Sequence, residues 1–296
     1  RNYFVAVIEG PSVESVSEAS RQIQNIVDKV VNSRELDYSH FVSLPLATHS
    51  GLVDKLIAFQ NRILGITGSE NDESQHVGLK AKKDSNVTSS RSDIPLVSYL
   101  PKESKTTAAE ASSSKLTDSG IDKSVFIRPT TFHLTVLMLK LWNKDRVEAA
   151  AEVLKSISST VIDALENRPV SIKLKGLECM KGSLADARVV YAPVEELGDE
   201  GRLLRACQVI IDAYVQAGLV LERDAKSKLK LHATVMNARY RRNRIRRKYE
   251  GFDARGVFEL YGGEEWGEYV VGEAHLSERF AFDEDGYYRC RASIPF

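Results

Sequence analysis

The sequence predicts an α+β protein with a largely antiparallel sheet, and three observations carry that expectation. Strand-like and helix-like segments alternate from the N-terminus onward. The same alternation returns in the second half of the chain. Each half also holds an apolar, strand-like run with a His-x-Thr tripeptide: Phe132-His133-Leu134-Thr135-Val136 and Leu231-His232-Ala233-Thr234-Val235.

Taken in order, residues 3 to 8 read as a strand and Gly10-Pro11-Ser12 as a turn. Val13 to Val31 then reads as an amphipathic helix, with Val16, Ala19, Ile23, Ile26, Val27 and Val30 on one face and Ser12 as its N-cap. A strand follows from Ser39 to about Pro45. Leu52, Leu56, Phe59 and Ile63 recur at helical spacing, which predicts a helix from Ser50 to Leu64. From Gly68 to about Ser124 the residues are mainly Ser, Lys, Asp, Glu and Thr, too poor in periodic apolar content to form a core, so about 68–124 reads as a flexible insertion. Ile94 to Leu100, within it, reads either as a docking motif or as a transiently ordered loop.

Order resumes with a strand over Phe126 to Leu141, a helix from Lys144 to Leu165 and strands over Val170 to Met180 and Ala187 to Pro193. A helix over Arg202 to Ala217 is closed by Gly218, where a C′ glycine belongs. Strands near Leu219 to Arg223 and over Lys228 to Asn237 come next. Further strand-like pieces at Glu268 to Glu273 and Tyr287 to Ala292 are set off by glycine-containing loops such as Gly262 to Gly267.

Composition bounds the function class. The chain has 296 residues, 43% of them hydrophobic and 28% charged, enough for a sizeable core in one large or two modest domains. Lys+Arg and Asp+Glu both number 41, so attraction to nucleic acid or membrane has to come from a local patch. No run of about 18 apolar residues is present to span a bilayer, and no apolar leader opens the chain. Cys179, Cys207 and Cys290 are widely spaced and odd in number, which favours reduced thiols in an intracellular compartment; the expected setting is nuclear or cytoplasmic, nuclear preferred. The chain starts at Arg1 rather than Met and reads as a fragment of a longer protein.

The two tripeptides carry the chemistry. Six His and eleven Thr in this chain should produce only about 0.2 His-x-Thr by chance. Strand alternation turns His133 and Thr135 to one face, and His232 and Thr234 likewise, while Phe132, Leu134 and Val136 turn to the core. Either tripeptide alone is most simply a structural feature of a strand. Two in matched contexts suit phosphodiester chemistry: a neutral imidazole takes a proton from the attacking water or hydroxyl, and a protonated one gives a proton to the leaving oxygen. The Thr hydroxyls can donate to the non-bridging oxygens, and this scheme uses no metal or other cofactor. No His/Cys/carboxylate spacing in the sequence suggests a metal site.

On these residues the chain resembles the 2H phosphoesterase superfamily, which includes LigT-like 2′-5′ RNA ligases, cyclic phosphodiesterases and a related domain of A-kinase anchoring proteins. Ser39 to Leu46, Phe132 to Leu139 and above all Lys230 to Asn237 carry the likeness, which covers about residues 36–296. It implies a bilobal fold, with two pseudo-symmetric antiparallel-sheet lobes around a central cleft. It also implies His133 and His232 as the catalytic pair, with Thr135 and Thr234 binding phosphate. The implied ligand is RNA or a nucleotide with a 2′,3′-cyclic or 2′-5′ phosphodiester, and the implied activity is a metal-independent phosphodiesterase. The resemblance extends to a preceding RNA-binding KH domain, of which residues 1–33 look like the last strand and helix. The Gly-x-x-Gly loop that clamps nucleic-acid backbone is absent from that segment. The rival reading is a nucleic-acid-binding adaptor subunit of a transcription-coactivator or alkylation-repair complex, with little or no turnover.

Seven of the ten residues from Arg239 to Lys248 are basic, with Tyr240 among them, a composition suited to phosphate neutralisation and base stacking. Arg239 and Tyr240 are the candidate substrate contacts, with a solvated loop and a nuclear-import signal as alternatives. Tyr38, His40 and Phe41 begin a strand that approaches the cleft in the resembled fold. Phe41 reads as core packing and His40 as structural. His49, His76 and His275 have no partner by spacing.

Overall fold

The computed structural model describes residues 7–33, 36–66, 121–198, 200–240 and 250–296. Residues 68–120 of the expected insertion, the docking-motif segment, residues 3–6 of the first expected strand and residues 241–249 of the basic run lie outside the described residues. The last residues of the expected insertion are instead structured, with Ile121 packed against the core and Lys123–Val125 in a 3-10 turn capped by Asp122. Val7 and Ile8 are not in a strand.

Among the described residues nine strands form the sheet: β1 (His40–Pro45), β2 (His133–Leu139), β3 (Val170–Lys175), β4 (Glu178–Lys181), β5 (Val189–Glu196), β6 (His232–Asn237), β7 (Glu265–Val271), β8 (Glu273–Phe282) and β9 (Tyr288–Pro295). Their order is β7-β3-β5-β6-β2-β1-β8-β9, with β4 also on β5, and every pairing is antiparallel. The helices are α1 (Val13–Asn32), α2 (Ser50–Leu64), α3 (Lys144–Ser156), α4 (Ser158–Ala164), α5 (Arg202–Gln216), α6 (Glu222–Ala225) and α7 (Arg255–Tyr261). The class is α+β, as expected from the alternation.

One hydrophobic core underlies both halves of the sheet. Leu52, Leu56, Phe59 and Ile63 of α2 are all buried in it. Phe59 is its aromatic centre, with Tyr261, Trp266 and Phe126 edge-on at 4.8, 5.3 and 5.9 Å. The fully buried Trp266 still satisfies its indole N–H, which donates to the Gly176 carbonyl at 3.0 Å. On the other side Tyr214 of α5 donates to the Ala150 carbonyl of α3 at 2.7 Å, a tie between two helices that local periodicity cannot show.

Several boundaries differ from expectation for identifiable reasons. The expected strand over Phe126 to Leu141 starts only at His133, because Pro129, which has no N–H, opens a 3-10 turn over Pro129–Thr131. The helix expected over Lys144 to Leu165 breaks at Ile157, where Ser156 turns its hydroxyl back onto the Val153 carbonyl at 2.8 Å. Gly176, at φ 72°, splits the strand expected over Val170 to Met180 into β3 and β4; a Cβ there would sit 2.9 Å from the Gly262 carbonyl oxygen. Leu219 to Arg223 is not a strand. Leu219 is buried as the cap of α5, its N–H donating to the Tyr214 carbonyl at 3.0 Å, and the chain then makes the short helix α6. Helix α7 has no counterpart among the expected elements.

Ser12 caps α1 in a reciprocal capping box with Ser15. The apolar stripe of α1 lies open, with Ile26 60% exposed. The helix is held at its C-terminal end. Lys140, buried just beyond β2, donates to the carbonyls of Val31 at 2.7 Å and Ser33 at 2.8 Å, and Arg223 Nη1 donates to Asn32 at 3.1 Å. A cation on the last carbonyls of a helix complements its dipole as well as its hydrogen-bonding need. Lys140→Met is therefore expected to speed amide hydrogen exchange in residues 13–33 by about tenfold or more without shifting the core's protection. Unchanged exchange in α1 would mean that another contact holds the helix. Among the described residues no helix is long and apolar enough to cross a membrane.

Candidate active site

The two His-x-Thr strands are neighbours. β2 and β6 run antiparallel with Leu134 opposite Ala233. One step along the ladder in each direction sets His133 against Thr234 and Thr135 against His232. Leu134 and Ala233 are fully buried in the core, and the four polar side chains, turned the other way, are half-buried on the cleft face. Two imidazoles and two hydroxyls therefore share one patch of sheet.

The flanking strands repeat the relation. On β1, Pro45 lies opposite His133 and Ser43 opposite Thr135; on β5, Pro193 lies opposite His232 and Tyr191 opposite Thr234. The ladders then slip at matched places: Val42 pairs with Leu137, passing over Val136, and Val190 pairs with Met236, passing over Val235. Each His-x-Thr strand thus carries a bulge one residue past its Thr, and a bulge bends its strand. The two lobes are related by a pseudo-two-fold axis through the Leu134–Ala233 pair.

Both imidazoles are anchored alike. His133 Nδ1 lies 2.7 Å from the Thr131 carbonyl and His232 Nδ1 lies 2.7 Å from the Lys230 carbonyl. A carbonyl only accepts, so the hydrogen-bond network places the proton on Nδ1 and leaves Nε2 of each neutral ring as the basic nitrogen. These anchors also account for where the strands start. The carbonyls two residues before each His serve the ring, and both β2 and β6 begin at the histidine itself. His133 Nε2 accepts from the Thr135 hydroxyl at 3.1 Å.

The surroundings break the symmetry. The His133 ring packs against Phe41 at 5.0 Å and meets Tyr288 edge-on at 5.5 Å, and those two rings are 4.9 Å apart. His232 meets only Tyr191 among the rings of the described residues, edge-on at 5.3 Å. The Tyr191 hydroxyl is hydrogen-bonded to the Glu178 carboxylate and to Lys230 Nζ, the latter at 2.6 Å.

Burial pushes His133 down from the ordinary imidazole value of 6.5 to about 4; the Thr131 carbonyl opposes the fall and the neighbouring His232 charge adds to it. His133 is thus a neutral base at neutral pH. Below pH 6.5 the unfolded chain takes up a proton that the folded protein accepts only near pH 4. This stability is fully present above pH 6.5, falls as the pH drops, and is lost below pH 4 to the extent of about 3 kcal/mol. His133→Gln lacks this titration, so its unfolding free energy in urea is expected to fall less than that of the wild type between pH 7 and 4. Parallel losses in the two proteins would contradict a depressed His133.

Of the remaining candidates, Tyr240 ends a short 3-10 turn after β6 and is partly exposed, its hydroxyl pushed up to about 12 by burial. Arg239 is fixed in the same turn by its backbone N–H, which donates to Asn237 Oδ1 at 3.0 Å. His40 is buried with Nδ1 2.9 Å from the Ser39 hydroxyl, and Tyr38 donates to Asp224. Phe41 is buried, yet its contact is with the His133 ring. His49 Nε2 lies 2.9 Å from the Val270 carbonyl and His275 pairs with Glu273, while His76 lies outside the described residues. Sequence reasoning missed Tyr191, Lys230, Glu178 and Tyr288. Only Tyr191 left a signal, two positions before a proline that mirrors the spacing of Ser43 and Pro45. All three cysteines are free, and burial pushes the Cys207 thiol up. Among the described residues no group of three or more His, Cys, Asp or Glu is placed to hold a metal ion.

The family model described as the AKAP7 2′5′ RNA ligase-like domain matches residues 38–296. Activating signal cointegrator 1 complex subunit 1 of Mus musculus is 26% identical over 195 residues, covering 60% of this chain and 54% of that protein. An uncharacterized protein of Schizosaccharomyces pombe is 27% identical over 176 residues, covering 58% of this chain and 80% of that protein. The chain thus spans about half the length of the mouse relative. Among solved structures, TT0787 of Thermus thermophilus aligns with a TM-score of 0.45 at 13% identity, covering 87% of this chain and 97% of that one. E. coli LigT complexed with 3′-AMP aligns with a TM-score of 0.43 at 12% identity, covering 88% and 95%.

Proposed function

This chain belongs to the AKAP7 2′5′ RNA ligase-like domain family, among the 2H phosphoesterases, and on that premise we propose that its cleft hydrolyses a 2′,3′-cyclic or 2′-5′ phosphodiester of RNA or a nucleotide. The observation that carries the reading is the Leu134–Ala233 pairing, which puts both imidazoles and both hydroxyls on one face. In this mechanism the His133 Nε2, kept unprotonated at neutral pH by burial, takes a proton from the attacking water. The water oxygen bonds to phosphorus as the bond to the ribose oxygen breaks. His232, protonated, gives its Nε2 proton to that ribose oxygen, so one proton enters and one leaves the pair in each turnover. Thr135 and Thr234 donate to the non-bridging oxygens as charge develops there. Thr135 changes partner on substrate binding, since its hydroxyl otherwise donates to His133 Nε2. Arg239 and Tyr240, just past β6, act as substrate contacts in this reading.

The test is incubation with a nucleoside 2′,3′-cyclic phosphate and with a 2′-5′-linked dinucleotide, separating products by chromatography. Ring-opened monophosphate or cleaved dinucleotide supports the proposal. A second reading draws on the description of the mouse relative as a complex subunit: an adaptor that holds a phosphate end without turning it over. Saturable binding of the same ligands without product would replace the enzymatic reading with that one.

A further inference from the structure

The His133 flank of the cleft carries two guanidinium groups that the mechanism leaves unused. Both belong to the way the β8–β9 hairpin folds. Ser277 pairs with Cys290 and Phe282 with Tyr288, so residues 278–281 of β8 stand against Arg289 alone. Within this bulge Phe280 sits at φ 68°, a strained conformation for a bulky residue, and its ring is 60% exposed. The hairpin tip reaches the segment that precedes His133: the Thr130 hydroxyl donates to the Gly286 carbonyl at 3.2 Å. Tyr288 is thereby placed edge-on to His133, with Phe282 packed beside it at 5.4 Å.

The arginines stand around this wall. Arg128 lies 4.5 Å over the Phe282 ring and Arg279 lies 4.3 Å over the Phe280 ring. Arg279 Nη1 also donates to the Tyr38 carbonyl at 3.2 Å. The charges of both bear on the Tyr288 hydroxyl, and that of Arg279 bears on Tyr240 as well. The nearby Arg289 and Arg291 pair with Asp283 and Glu278, whereas neither Arg128 nor Arg279 has a carboxylate partner among the described residues. The opposite flank differs. Its cation, Lys230, is 3.5 Å from Glu178 and shares Tyr191 with it. Among the described residues, Arg128 and Arg279 thus offer, on the His133 flank, guanidinium groups that have no carboxylate partner and whose N–H edges suit phosphate oxygens.

We propose that Arg128 and Arg279, stacked on the Phe282 and Phe280 rings of the β8–β9 hairpin, form a second phosphate subsite on the His133 flank. It takes the internucleotide phosphate next to the one held between the two histidines. The ligand class is an oligonucleotide with at least two phosphates, and the exposed face of Phe280 offers a stacking surface for a base beyond Arg279. This inference rests on the reading of the cleft as a phosphodiester site and does not require turnover.

Equilibrium binding of adenosine 3′-phosphate and of the adenylyl dinucleotide 3′-phosphate tests it. The two probes differ by one phosphate and one nucleoside. The wild type is expected to bind the dinucleotide about tenfold or more tighter. Its affinity for the dinucleotide should also fall more steeply with salt, by about 0.7 in the logarithmic slope. In the Arg128→Gln/Arg279→Gln double variant the affinity ratio should fall to the smaller factor that base stacking alone leaves, and the slopes should converge. A ratio and slope difference that survive undiminished in the double variant would overturn the subsite. Should that variant unfold, the wild-type slopes decide alone, because equal slopes for the two probes leave no second phosphate contact. Absence of turnover with an arginine-dependent ratio intact would instead count against the enzymatic reading only.

Discussion

His232→Ala is expected to lower kcat on a 2′,3′-cyclic phosphate by about 10²–10⁴-fold, and His133→Ala by a similar factor. Each imidazole is half-buried on the cleft face, and its backbone hydrogen bond is to a carbonyl only two residues earlier in its own chain. Truncation therefore removes a proton carrier without opening the core. The double variant should lose scarcely more than either single one, because a base without its acid partner already completes only part of the reaction. Circular dichroism and thermal unfolding at pH 7 separate lost chemistry from lost fold. A single variant that keeps wild-type turnover would remove that histidine from the reaction.

Leu134→Ala is expected to destabilise the protein by about 2–5 kcal/mol in urea unfolding. Leu134 is fully buried and lies opposite Ala233 at the seam where the two lobes meet. The small partner offers no side chain that could swing into the vacated volume, which places the cost toward the upper part of the range. The same change loosens the pairing that sets His133 and His232 in register, so kcat of the folded protein should fall along with stability. A loss below about 1 kcal/mol would show that the seam is held from elsewhere.

Much of this fold is legible in the sequence because local rules decide it. The α2 stripe of Leu52, Leu56, Phe59 and Ile63 has a single helical reading, and Ser12 and Gly218 mark helix ends by their own chemistry. The polar side chains of the site are legible too, since alternation fixes which face His133 and Thr135 share. What escapes depends on partners remote in sequence. No local rule says that the carbonyls of Thr131 and Lys230 will serve imidazoles, so the pattern starts both strands too early. The break at Gly176 needs a close approach to Gly262, and the Leu219 segment is apolar because it caps a helix, a role that local pattern cannot tell from a strand. Tyr288 and Tyr191 reach the histidines from the outer strands, across a curvature that comes from bulges invisible to a count of alternating residues.

The matched bulges at Val136 and Val235 have a consequence for the origin of the site. Two β-α-β units with the same proline, the same tripeptide and the same slip in pairing are what duplication of one ancestral unit would leave behind. A single such unit could have built an equivalent cleft as a homodimer, through an isologous contact across a true two-fold. In such a dimer the two histidines would be interchangeable, and a ligand would lie across the cleft in either sense with equal energy. Halves joined in one chain are free to diverge, and here His133 stands beside the Phe41 and Tyr288 rings while His232 stands beside a tyrosine tied to a lysine–carboxylate pair. Substrate polarity is thus a property that fusion made available.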